Sequence, residues 1–551
     1  MKSIFFKLFL IIALIFNYSC NESQSEKEIF ISDLMSKMTL EEKVGQMNQY
    51  NGFWDATGPL PKKGYEKGRY DDLRNGLVGS MLNVTGVKNV YALQKIAVEE
   101  TRLGIPLIFG FDVIHGYKTI SPIPLGESAS WDIEAIEKSA RIAAEEAAAA
   151  GLNWTFAPMV DIYRDARWGR VMEGAGEDTY LGSVIATARV KGFQGNDLSD
   201  FSTIAACAKH FAAYGFPEAG RDYNTADINK YTLYNYVFPP FKAAVDAGVS
   251  TFMNSFNTLN EIPATGSKFL QRDVLKGDWG FEGFVVSDWG SIGEMIPHGY
   301  AKDGVHAAEL AANAGSDMDM ESSLYVRKLQ GLVAEGKVDI SIINDAVKRI
   351  LGVKYDLGLF EDPYKYCDLD REKNIIGSKE NNLAALDMAK KSIVLLKNES
   401  SLLPIKKKGQ KITLIGHLAN DNNSPLGNWR GAADSNTAVT VLEGLENYGN
   451  NSITYKKGVD LYYGETNFHN RVKLNHTDKT GFNEAKIAAK SADIVVMVLG
   501  EEGFQSGEGR SRTELGLPGL QQELLEEVFK INKNIVLVLM NGRPLNLTWA
   551  D

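Results

Sequence analysis

Cysteine is scarce, three in 551 residues, and neither Cys207 nor Cys367 stands in a CxxC or Cys/His spacing that would hold zinc. Both read as core thiols. Basic residues are outnumbered, 59 Lys and Arg against 70 Asp and Glu, and no basic stripe offsets the net charge of -11, which excludes a nucleic acid as partner. A neutral ligand fits better. Apolar runs of membrane-spanning length, roughly 20 residues, are also missing: the run from Leu8 to Phe16 is too short. What remains is ordinary globular composition, 44% hydrophobic and 23% charged. At 551 residues the chain exceeds what one core organises, so two domains are expected.

The first 20 residues, MKSIFFKLFLIIALIFNYSC, place Lys2 and Lys7 ahead of the apolar run, and a polar NESQSEKE stretch follows. This is the layout of an export signal. Cys20 at its end resembles a bacterial lipoprotein site, with a lipid on the new N-terminal cysteine. Asn17 and Tyr18 depart from the small and aliphatic residues usual before such a cysteine, which leaves simple cleavage as the alternative. The expected location is the periplasm or a lipid-anchored membrane face. An N-terminal lipid is then the only membrane contact expected, and the motifs carry no information on oligomeric state.

From about residue 28 to 365, short apolar runs alternate with helical stretches, the rhythm of βα units around a parallel sheet. Thr39-Leu40-Glu41-Glu42 has the capping-box form of a helix start. Five strand candidates share one layout, apolar and then polar: Gly104 to Asp112, Asn153 to Asp161, Thr203 to His210, Val249 to Ser255 and Gly283 to Asp288. Polar groups gathered at the carboxyl ends of parallel strands are the arrangement of a (β/α)8 TIM-type barrel site. Asp132 to Ala150 reads as helix, stopped by Gly151. The pattern loosens around 366–390, taken as a linker, before a helical stretch at 384–398. Residues 391–551 then carry apolar runs at Ile412 to Gly416, Ile494 to Gly500 and Ile535 to Met540, an α/β sandwich domain. A strand immediately before Asp551 with no helix after it makes that domain read as truncated.

Four segments carry chemistry. In KHFAAYG, Lys209 and His210 leave a strand end as paired donors suited to sugar hydroxyls; a buried lysine needs a partner, which weighs against a merely structural role. In Asp161 to Tyr180, Arg164 and Arg167 read as structural ion pairs. In VVSDWGS, a strand delivers Asp288 with Trp289 beside it; a strand-end aspartate commonly caps a helix, but an aromatic plane next to a carboxylate also suits a sugar ring. The fourth, Gly500 to Gln522, is a glycine-rich loop carrying Glu501, Glu502, Glu508 and Glu514, read either as a solvated acidic loop or as a loop bringing a catalytic group across a domain interface.

Six motifs in order, FDVIHG (111–116), RWGR (167–170), KHF (209–211), GRDYN (220–224), SDWG (287–290) and GEGRSR (507–512), resemble glycoside hydrolase family 3, and in particular its periplasmic bacterial β-glucosidases. The resemblance implies sugar bound between a barrel and an α/β sandwich domain, Asp288 as nucleophile, and Glu508 as general acid/base, with Glu501 and Glu502 in reserve. It places Asp112, Arg170, Lys209 and His210 on the sugar's hydroxyls and Trp289 beside the nucleophile. A β-linked oligosaccharide or glucoside is the implied substrate; no metal and no organic cofactor are implied. Retaining chemistry uses one ionised carboxyl to attack and one protonated carboxyl to release the leaving oxygen, and Lys209 and Arg170, if near, would help keep Asp288 charged. Family N-acetylglucosaminidases take their acid/base from a histidine in the loop after KHF. Here that loop, AAYGFPEAGRDYN, has none. A β-xylosidase and a non-catalytic carbohydrate-binding lipoprotein are the alternatives.

Overall fold

The computed structural model describes residues 25–52, 65–399 and 401–551. The export signal and Cys20 lie outside the described residues. Thr39 and Glu42 form the expected capping box at the start of helix Leu40–Gln46.

Among the described residues, eight parallel strands follow one another in a ring: β1 (Asn48–Asn51), β2 (Ser80–Leu82), β3 (Ile108–Phe111), β4 (Trp154–Thr155), β5 (Cys207–Phe211), β6 (Thr251–Asn254), β7 (Phe284–Val286) and β8 (Asp319–Met320). Ladders join β8-β1-β2-β3-β4 and β5-β6-β7. The two seams carry parallel bridges, Trp154 to Ala205 and Met159 to Lys209 at one, Val286 to Met318 at the other. The interior is a packed core in which Trp154, Phe109, Phe252 and Phe284 are fully buried. Cys207 is buried within β5, and Cys367 is a half-buried free thiol.

Three of these strands lie outside the five expected. β1 reads NQYN, polar at every position, yet it is buried because its side chains find partners: Asn48 donates to the Leu77 carbonyl at 2.9 Å, Gln49 to Ser80 Oγ at 2.9 Å, and Tyr50 to Asp72 at 2.7 Å. β2 and β8 are too short to show a period.

Helix Ile133–Ala149 starts on Asp132, whose side chain accepts from Ala135 N, and buries a face of Ile136, Ala140, Ala143, Ala144 and Ala147. Within 366–390, the segment read as linker, the chain forms helices Leu369–Ile375 and Lys379–Lys391. The second of these stops at Lys391, short of the helical stretch expected to 398, and Ile393 to Leu396 are exposed. Both elements are tied to the barrel through Glu146, a fully buried carboxylate. It accepts from Lys118 N (2.9 Å), Thr119 N (2.8 Å), Thr119 Oγ1 (2.7 Å), Gly377 N (2.8 Å) and Asn381 Nδ2 (3.0 Å).

Beyond it, β9 (Lys408–Ile415), β10 (Asn450–Lys456), β11 (Ile494–Gly500) and β12 (Ile535–Met540) form a parallel sheet in the order β10-β9-β11-β12. Separate apolar clusters cover its two faces, one with Leu524 and Val528, the other with Leu418 and Leu461. β10 escapes the sequence reading because it is an edge strand, alternately exposed and half-buried. The strand order reverses between β9 and β11, and in open α/β sheets the loops leaving the carboxyl ends at such a point form the functional crevice. Among the described residues no helix is long and apolar enough to cross a membrane.

Glu146→Ala strips several buried donors of their acceptor at once and is expected to destabilise the barrel by about 3 kcal/mol. Calorimetry should show the barrel's transition at lower temperature; an unmoved transition would mean that water replaces the carboxylate at no cost.

Candidate active site

The carboxyl ends of the barrel strands supply one half of a polar cluster. β3 hands on Asp112, β5 carries Lys209 and His210, and β7 is followed by Ser287 and Asp288. Lys209 is buried and donates to Asp112 Oδ1 at 3.0 Å. Burial works against its charge, but Asp112 and Glu173 outweigh that and raise its pKa. The Lys209 and His210 side chains both reach the same rim. His210, fully buried, has its backbone N–H and its Nδ1 each 2.9 Å from Asp161 Oδ2, while Nε2 lies 3.7 Å from Asp288 Oδ2. Burial, with Arg170 and Lys209 nearby, holds this imidazole neutral, its pKa well below the ordinary value. Burial likewise raises Asp161, against the pull of the His210 N–H and Arg170.

Arg170 stands in a 3-10 turn, Gly169–Glu173, and Glu173 grips it in a fork, 2.8 Å at Nε and 3.0 Å at Nη2. Its remaining nitrogen, Nη1, is 3.5 Å from Glu508 Oε1. Of the two arginines read as ion-paired, Arg167 does pair, with Asp165 at 2.6 Å, whereas Arg164 lies over the Tyr236 ring.

Asp288 is 8% exposed. The Trp289 N–H holds its Oδ1 at 2.7 Å, so it caps the residue that follows it and leaves Oδ2 unpartnered. Lys209 and Arg170 are near, as expected, and both pull its pKa down. Burial outweighs them, however, and with some help from Glu508 pushes the carboxyl up to about 8. The two cations thus favour the charged form, as expected, but desolvation of the buried carboxyl is the larger effect. Trp289 itself is 43% exposed, an aromatic wall beside this carboxyl.

The second sheet supplies the other half. Trp429, on the loop after β9, donates from Nε1 to Glu173 Oε1 at 2.9 Å, and its ring faces Lys209 Nζ at 5.3 Å. Glu508, on the loop after β11, accepts from the Tyr223 hydroxyl at 2.7 Å. The two reserve glutamates do other work. Glu501 pairs with Arg512 at 2.7 Å and Arg543 at 3.0 Å, and Glu502 caps the turn Gly503–Gln505.

The glutamate loop docks directly on the RWGR segment. Gly507 N donates to Gly169 O at 2.7 Å and Arg512 N to Arg167 O at 3.0 Å. A Cβ on Gly169 would lie 2.2 Å from Gly507 O, so the approach requires glycine there.

Asp288 Oδ2, His210 Nε2, Arg170 Nη1 and the Tyr214 hydroxyl are all buried and make no hydrogen bond within the protein. Each such atom costs roughly 1–3 kcal/mol. They belong to one cluster, the His210 and Tyr214 rings being 5.1 Å apart and the Arg170 guanidinium 5.4 Å from the Tyr214 ring. A polyhydroxylated ligand would satisfy them together.

Residues 39–353 match the family described as Glycosyl hydrolase family 3 N terminal domain, and residues 393–551 match its C-terminal domain. The chain belongs to glycosyl hydrolase family 3. It is 40% identical over 538 residues to a periplasmic beta-glucosidase of Salmonella typhimurium, an alignment covering 95% of this chain and 69% of that protein. A beta-xylosidase of Formosa agariphila is 32% identical, with 97% of this chain and 69% of that one covered. A crystal structure of a mutant beta-glucosidase from Listeria innocua in complex with laminaribiose superposes with a TM-score of 0.86 at 36% identity, covering 95% of this chain and 71% of the other. The family 3 chain described here is accordingly a glycoside hydrolase with a two-domain α/β fold.

Glu173, Trp429, Tyr214 and Tyr223 were not singled out from the sequence. Glu173 and the two tyrosines stand in segments already rich in motif residues. Trp429, in GNWRG, has no local pattern around it.

Two outcomes are expected. Asp288→Asn removes a group whose protonated form the fold favours; that advantage is complete below about 3.8 and is lost as pH rises to about 8. The variant should therefore unfold several degrees above wild type at pH ~8 and close to it near pH ~4; equal midpoints at both would show the carboxylate to be well solvated. Gly169→Ala should push the glutamate loop off the barrel and cut glycosidase kcat/KM by about 100-fold, with the barrel's circular dichroism intact.

Proposed function

We propose that this chain is a retaining, exo-acting β-glucosidase that removes terminal non-reducing β-D-glucosyl residues through a covalent glycosyl-enzyme. Asp288 is the nucleophile and Glu508 the general acid/base. The observation that carries this reading is the unpartnered Asp288 Oδ2, buried among the donors of Arg170, Lys209 and His210 and sharing Arg170 with Glu508. With Oδ1 tied to the Trp289 N–H, Oδ2 is the oxygen free to attack the anomeric carbon. An ionised Asp288 is a poorly solvated anion here, and bonding to carbon relieves it. Glu508 hands its proton to the departing oxygen and takes one from the incoming water. Asp112, Lys209, His210 and Arg170 hold the hydroxyls of the cleaved sugar. Trp289 and Trp429 flank them with aromatic faces.

Glucose as the cleaved sugar rests on the Salmonella relative and on the Listeria structure with laminaribiose; xyloside relatives exist at lower identity. The periplasmic relative also supports export, with Cys20 as the proposed lipid site.

The test pairs p-nitrophenyl β-glucoside with the β-xyloside. Wild type should favour the glucoside, Asp288→Ala should lose at least ~10⁴-fold, and azide should restore turnover to Glu508→Ala as a β-glycosyl azide. Glu501→Gln should lose activity and stability together, with no rescue by azide. Turnover that survives Asp288→Ala sinks the mechanism; preference for the xyloside makes the chain a β-xylosidase.

A further inference from the structure

The loop after KHF carries Asp222 and Tyr223. Asp222 is fixed by the Trp168 indole, which donates to its Oδ1 at 2.9 Å. The same carboxylate accepts from the Tyr223 N–H at 3.1 Å through Oδ1 and from the Gly509 N–H at 2.7 Å through Oδ2, while Asp222 N donates to Ser511 Oγ at 3.0 Å. Tyr223 and the residue after Glu508 thus hang from a single side chain. The Tyr223 ring packs edge-on against Phe256 at 5.1 Å, and its hydroxyl donates to Glu508 Oε1 at 2.7 Å. That same oxygen is the one 3.5 Å from Arg170 Nη1.

We propose that Tyr223 is a positioning residue for the acid/base: by donating to Oε1, it confines the transferable proton of Glu508 to Oε2 and aims that oxygen at the glycosidic bond. Oε1 faces two donors and has no use for a proton of its own. Oε2 therefore carries the proton out to the leaving oxygen and receives one back from water. The barrel loop does not supply the acid; it orients an acid lent by the other domain. This inference rests on the roles assigned above to Asp288 and Glu508.

Tyr223→Phe keeps the ring and removes only the hydroxyl. General acid assistance matters most when the leaving group is poor, so the loss in kcat/KM should be graded: about 30-fold on methyl β-glucoside and about threefold on 2,4-dinitrophenyl β-glucoside. Thermal unfolding should stay where it is in wild type. A uniform loss across leaving groups, or none, overturns the positioning role while leaving the proposed activity standing. A wild type inert on both substrates overturns both.

Discussion

A buried carboxylate joins the two domains into one working object. Glu501, at the carboxyl end of β11, meets Arg512 and Arg543, and Arg543 is itself fully buried. Arg543 then donates to the carbonyls of Arg167 in the barrel (3.1 Å) and of Gln505 (2.7 Å) and Arg510 (2.8 Å) in the glutamate loop. A pair so enclosed is weak evidence for net stability, since desolvation of both charges offsets most of their attraction. Its value here is geometric. The planar guanidinium, with several donors in fixed directions, holds loop and barrel carbonyls in one orientation. It adds to the Gly507–Gly169 and Gly509–Asp222 contacts that place the glycine-rich loop carrying Glu508.

The pocket is organised against its own stability. Its unpartnered polar atoms and a carboxyl raised to about 8 are features that a fold selected for stability alone would remove. They persist because the surroundings over-determine them: Glu173 grips Arg170, Asp161 grips His210, and the Trp289 N–H grips one oxygen of Asp288. In each case one end of a side chain is satisfied by protein and the other is kept open. Such half-satisfied groups resemble a solvent shell built in advance, with little reorganisation left when a substrate arrives.

Much of this is legible in the amino-acid sequence. Strands that run from apolar to polar announced the rim, and Asp112, Lys209, His210 and Asp288 sit on it as the strand-end argument requires. β1 was invisible because its burial depends on partners elsewhere, Ser80 and Asp72 among them, that no local pattern reveals. The same limit applies to the glutamate loop. Glu501, Glu502 and Glu508 stand within eight residues of one another and look alike in composition; only the tertiary fold turns the first toward Arg543 and the third toward Arg170. Trp429 was missed for the same reason, since its partner Glu173 lies in the other domain.

The contact at Gly169 has a bearing on how such chains can be recombined. One domain contributes Asp112, Lys209, His210 and Asp288, the other Trp429 and Glu508, and among the described residues the chain crosses between them once. A crossover in the connecting segment would exchange Trp429 and Glu508 as a cassette and leave the barrel's rim residues untouched. What limits the exchange is no catalytic group but a backbone approach, because a Cβ at 169 would meet Gly507 O at 2.2 Å. Chimeras between relatives are compatible where both partners keep that approach open, whatever their sugars.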